Sequence, residues 1–151
     1  MKKLIMISII LIATVSCTNN VFKQWDGKSF PDYIWESDRE IVFEPLIDDI
    51  DRTYTITVGL RHIYGLDIPE ISIGMSIVAP SESVTDKTFI IRLKDDKGQP
   101  AAECSGHLCD IETDVETSFR FSEKGKYSIK FRQLTPYKRL NGIMELGLII
   151  R

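Results

Sequence analysis

Three cysteines, two histidines and many carboxylates are the residues of this 151-residue chain that could do chemistry. Cys104 and Cys109 are separated by Ser105-Gly106-His107-Leu108. In an oxidising compartment so close a pair forms a short-loop disulfide, worth about 2 kcal/mol on the chain-entropy model. The same residues with His107 also read as three metal ligands, or as free thiols. The spacing fits no zinc pattern, so the disulfide is the favoured reading of the three and no metal is expected. His62 keeps period with Leu60, which makes it a buried or half-buried structural imidazole. Arg61 points to the other face, where it pairs with an acid on a neighbouring strand or serves a partner. Asp48, Asp49 and Asp51 cluster in a turn, and Asp110, Glu112, Asp114 and Glu116 alternate. Both sets read as solvated faces rather than a calcium cage or a catalytic pair. Neither histidine lies in a nucleophile elbow, a metalloprotease helix or a phosphate-binding glycine loop. The chain therefore reads as a non-enzyme that needs no cofactor.

Cys17 has a different chemistry. Met1-Lys2-Lys3 is a short positive region, Leu4 to Val15 is a nearly unbroken apolar run of 12 residues, and Ser16-Cys17 follows at once. As a helix that run rises only about 18 Å, against a hydrocarbon core of about 30 Å, so it reads as a signal peptide rather than a membrane span. A small residue and a Cys in this place resemble the lipobox of bacterial lipoproteins, in which the thiol takes a diacylglycerol and the peptide is cut just before it. An ordinary secreted protein cut near Cys17 is the competing reading. The lipobox reading divides the chain into a signal peptide over 1–16, a lipidated N-terminal arm over 17–39 and a folded domain over 40–151. Thr18-Asn19-Asn20 carry no acid. By the sorting rules of such lipoproteins, that argues for the outer membrane, facing the periplasm, and against both inner-membrane retention and surface export.

The elements that must position these residues are strands. The composition, 43% apolar and 27% charged, suits one domain with a sizeable core. The net charge of -3 becomes -5 once Lys2 and Lys3 are cut away, leaving 17 basic against 22 acidic side chains, and offers no footprint for nucleic acid. Period-two alternation recurs along the chain. It predicts strands over 40–46, 53–63, 70–79, 87–94, 115–121, 126–133 and 142–150, with a long loop over 98–114. In the strand over 53–63, Tyr54, Ile56, Val58 and Leu60 share one face. Val21 to Arg39 reads as an extended arm. Such strands imply an all-β, antiparallel β-sandwich, either a jelly roll or immunoglobulin-like.

In their order these features resemble the gliding-motility lipoprotein H family (GldH) of Bacteroidetes-type bacteria. The front of the chain carries the resemblance in Cys17, Phe30, Trp35, Val42-Phe43-Glu44, an acidic turn, Tyr54-Thr55-Ile56, Leu60-Arg61-His62 and Tyr64. The back carries it in Phe121, Gly125-Lys126-Tyr127, Gln133, Leu140 and the run Gly142 to Leu148. Two stretches depart from the family pattern: Tyr64 to Pro69 is shortened, and Ala101 to Cys109 replaces a Gly-rich, Trp-bearing loop. The resemblance implies a lipid-anchored sandwich without enzymatic activity. It implies a role in gliding motility, or in assembling the associated surface and secretion machinery, with other envelope lipoproteins or motility and secretion subunits as partners.

Two surface features bear on partners. Seven acids lie between Glu36 and Arg52, and eight basic residues lie between Arg120 and Arg151. They either polarise the domain or sit on neighbouring strands and cancel. Tyr137, Lys138 and Arg139 form an aromatic and basic loop that suits a protein contact, with Arg61 and Tyr64 as further candidates. A second reading is carbohydrate binding, in which Trp25, Tyr33 and Trp35 would stack on sugars.

Overall fold

Residues 20–151 are described by the computed structural model; the signal segment over 1–16 and Cys17 lie outside the described residues. The alternating segments form thirteen strands among the described residues. They are β1 (Phe22–Asp26), β2 (Ile34–Glu36), β3 (Ile41–Phe43), β4 (Leu46–Ile47), β5 (Tyr54–Ile63), β6 (Glu70–Val78) and β7 (Val84–Arg92). β8 (Glu103–Ser105), β9 (Leu108–Phe119), β10 (Gly125–Lys126), β11 (Ser128–Gln133), β12 (Arg139–Asn141) and β13 (Ile143–Ile150) follow. Two main sheets have the strand orders β1-β13-β5-β9-β8 and β3-β11-β6-β7.

The pairing is nested. β1 pairs with β13, β3 with β11, β5 with β9 and β6 with β7, all antiparallel. A chain folded on itself in this way and then rolled into two layers is a jelly roll, which decides between the two expected sandwiches. Burial follows the pleat. Tyr54, Ile56, Val58 and Leu60 of β5 face Ile71, Ile73, Met75 and Ile77 of β6 across a dry interior completed by Ile129, Phe131, Leu146 and Leu148. Burying each such side chain stabilises by about 1.5–3 kcal/mol. The open flanks of the sandwich are also closed. Phe22 of β1 meets Phe43 of β3 edge-on at 6.4 Å. On the other flank Lys87 of β7 bonds Glu116 of β9 and lies 5.7 Å from the Phe119 ring.

Three sequence expectations change. Residues 22–39 are not an arm leading into the domain. β1 is an outer strand of the larger sheet, and β2 pairs with β12 through Trp35 and Leu140. Trp35 is fully buried, with its ring edge-on to Phe30 at 5.6 Å, and a solvated arm would leave that apolar surface in water. The region over 98–114 is not one loop, because it holds β8 and the first half of β9. Its acids masked the strand by making the outward positions dominate the pattern. The strand expected over 40–46 is broken at Pro45, which has no N–H for the ladder; its carbonyl instead accepts the Tyr127 N–H at 2.9 Å.

The charge question is answered by the same nesting. β11 lies beside β3, β10 beside β4 and β12 beside β2, so Arg132 meets Glu40 at 2.6 Å, Lys126 meets Glu44 at 2.8 Å and Arg139 meets Glu36 at 3.1 Å. The acidic and basic segments are neighbours, and three of the seven acids are paired with three of the eight basic residues.

Trp35→Ala is expected to destabilise the fold by about 3–5 kcal/mol in urea denaturation, as for a large aromatic removed from a core. A loss below about 1 kcal/mol would mean that the segment is a docked arm after all.

Candidate functional site

The larger sheet presents an ordered outer face. Trp25, Gly147, Gly59 and Glu112 are in register across β1, β13, β5 and β9. The Trp25 indole lies flat on the two glycines. A Cβ on Gly147 would come within 2.6 Å of the indole Cδ2, and one on Gly59 would collide with its outer carbons. Glycine is needed at both positions because of this close approach.

Glu145, Arg61 and Asp110 form a second row on the same face. Arg61 donates from Nε and Nη2 to the two Asp110 oxygens at 2.7 and 3.1 Å, and from Nη1 to Glu145 Oε2 at 3.2 Å. The hydrogen bond to Asp110 raises the guanidinium above its ordinary value, against burial, which lowers it. The guanidinium carbon is 6.0 Å from the Trp25 ring centroid. The expected partner of Arg61 on a neighbouring strand is thus two partners, one on each side.

Three more of the acids singled out by spacing have partners. Glu112 pairs with Arg151 at 3.6 Å, and Asp114 accepts the Thr57 hydroxyl at 2.6 Å. Asp49 accepts the Asp51 N–H at 2.9 Å, closing an Asx turn.

Tyr64, Tyr137, Lys138 and Arg139 lie away from Arg61, at the pole where β5, β11 and β12 meet their loops. Tyr64 is 55% and Tyr137 54% exposed. Each belongs to a braced turn. The Tyr64 N–H donates to His107 O at 2.8 Å, so the β5 exit is tied to the disulfide hairpin. The buried Gln133 donates to Tyr137 O at 2.8 Å and accepts from Thr135 N and Oγ1 at 3.0 and 2.6 Å. Lys138 O accepts the Ser37 N–H at 2.8 Å, and Arg139 is held by Glu36.

Tyr33, expected to stack on a sugar, joins this pole. It is 54% exposed, and its carbonyl accepts the Gly142 N–H at 2.7 Å. Asp32 and Tyr33 have φ of 55° and 58°, a left-handed conformation that costs a non-glycine residue roughly 1–2 kcal/mol. The β2–β12 pairing on either side holds the turn in place. Sequence reasoning reached Tyr33 only as a sugar-stacking candidate, because the β2–β12 pairing that fixes its turn joins strands about a hundred residues apart in the chain. The Gln133 clamp is local, with partners two and four residues on, and Gln133 stood out in the sequence only as a landmark of the resemblance.

Cys104 and Cys109 are direct register partners on β8 and β9, with Cα atoms 4.0 Å apart and their sulfurs bonded to each other. No thiolate is left there for a metal. Cys109 and His62 line a cavity of about 260 Å³ with Tyr64, Leu66, Leu93 and Pro100. His62 is buried, with Nδ1 2.8 Å from Ile63 O and, among the described residues, no hydrogen-bond partner for Nε2. The aromatic trio behind the carbohydrate reading is broken up. Trp35 is sealed in the core and one face of Trp25 is covered by the sheet, leaving Trp25 and Tyr33 on the wall of one open groove.

The model of a family described as GldH lipoprotein matches residues 22–150. No curated protein and no solved structure matches the chain.

Removing Arg61 leaves Asp110 and Glu145 repelling across the position it filled. Arg61→Ala is expected to lower stability by about 1 kcal/mol, a size set by the partial exposure of all three groups. The same change in an Asp110→Asn, Glu145→Gln background should lose less than half of that. Equal losses in both backgrounds, read by urea denaturation, would show that the triad carries no coupling.

Proposed function

Because the chain belongs to the GldH lipoprotein family, we propose that it is a non-enzymatic envelope lipoprotein required for gliding motility or for assembling the associated surface and secretion machinery. The family match over residues 22–150 carries this reading. The anchor is the acylated Cys17, and the location is the outer membrane with the domain facing the periplasm. Each buried CH2 of an acyl chain contributes about 0.8 kcal/mol, so two or more chains hold the protein firmly.

The work is done by protein contact. Tyr33, Tyr64 and Tyr137 supply exposed aromatic surface on braced turns, the kind of rigid amphipathic side chain that protein interfaces favour. Lys138 adds charge at the rim. The pairing of Asp110, Glu145 and Glu112 with arginines supports a structural rather than a catalytic use for these three acids.

A strain lacking the protein tests this reading when complemented with wild type, with Cys17→Ala, or with Tyr64→Ser and Tyr137→Ser together. Only wild type is expected to restore spreading. The tyrosine variant should keep the wild-type urea midpoint while losing the envelope proteins that co-purify after cross-linking. Normal spreading and secretion in the deletion strain would overturn the proposal.

A further inference from the structure

The two ends of the sandwich differ in what reaches them. One pole gathers the start of β1, the end of β13 and the turns over 48–52, 79–83 and 122–125. Val21 N–H donates to Ile150 O at 2.8 Å, and Thr55 N–H to Arg151 O at 3.0 Å. Arg120 reaches Asp51 O at 3.5 Å, and Ser81 N–H donates to Glu123 at 3.2 Å, which stitches these turns together. The opposite pole holds the segments over 63–69, 93–100, 106–108 and 134–142. The exposed Tyr33, Tyr64, Leu108, Leu134 and Tyr137 lie there.

Between Cys17 and Val21 the chain has only Thr18-Asn19-Asn20. Four residue steps span at most about 14 Å even when fully extended. The ten residues of β5 run from pole to pole over about 30 Å. A tether less than half the length of the body cannot let the body invert.

We infer that the pole of Val21, with the turns over 48–52 and 79–83, rests on the bilayer, and that the tyrosine-bearing pole is turned away from it. This inference rests on the acylation of Cys17 proposed above. The lipid surface occupies the first pole because the chain is attached there, where Leu46 and Val84 are exposed to it, and the three exposed tyrosines lie at the pole that lipid does not reach. Apolar surface left in water at the far pole is available to a protein partner. The tether thus sets specificity by geometry: a partner must approach from the side away from the membrane.

The test uses the full-length lipidated protein in phosphatidylethanolamine and phosphatidylglycerol vesicles that carry a nitroxide on the lipid headgroup. A fluorophore is attached through Asp48→Cys in one sample and Asp96→Cys in another; both positions are exposed, one at each pole. Quenching should be several-fold stronger at position 48 than at position 96. Inserting about twenty Gly and Ser residues between Asn20 and Val21, which adds a mean reach of about 25 Å, should erase the difference. Equal quenching at the two positions without the insertion, or stronger quenching at 96, would overturn the orientation. Mass spectrometry of the N-terminal peptide separates the two claims, since an unmodified Cys17 would overturn the anchoring and the orientation together.

Discussion

The antiparallel pairing of β1 with β13 is the contact on which the rest of the molecule depends. It sets Phe22 against Ile150 and Asp26 against Leu146, joining the first strand of the domain to the last. The other three pairs nest inside it, down to the β6–β7 hairpin at the centre. Without that outer pair the larger sheet would end at β13, Trp25 would have no glycine floor, and Phe22 would leave Phe43 uncovered. The pairing is non-local, so its closure entropy must be met by the apolar surface that it buries. It also fixes where both ends of the domain emerge, at one pole.

Polar groups divide along the same lines. On the sheet face, Arg61, Asp110 and Glu145 satisfy one another across three strands, and their use is to hold register. The other acids do likewise with Arg151, Thr57 and Lys87. At the far pole the backbone is braced but the aromatic side chains are not covered. That contrast between paired polar groups on the sheet face and uncovered tyrosines at the pole is what the proposed partner contact rests on.

Much of this was legible in the residues themselves. The alternation of Tyr54, Ile56, Val58 and Leu60 announced a half-buried strand, and the same period put His62 inside and Arg61 outside. The spacing of Cys104 and Cys109 announced a short-loop disulfide, and the order of Phe, Trp, Tyr and Gly landmarks announced the GldH lipoprotein family. What stayed hidden was tertiary. Trp35 sits in a short segment with no period of its own, and its burial depends on Leu140. The first half of β9 was obscured by acids whose counter-charges lie on other strands. The choice of a jelly roll required knowing which strands neighbour which, and no local pattern encodes that.

The central claim is that the protein acts by presenting its tyrosine pole to a protein partner on the side away from the membrane. A photo-cross-linking amino acid incorporated in living cells at position 64, 137 or 81 tests it most directly. The account predicts adducts to envelope proteins from 64 and 137 and none from 81. Protein adducts from 81 alone would contradict it.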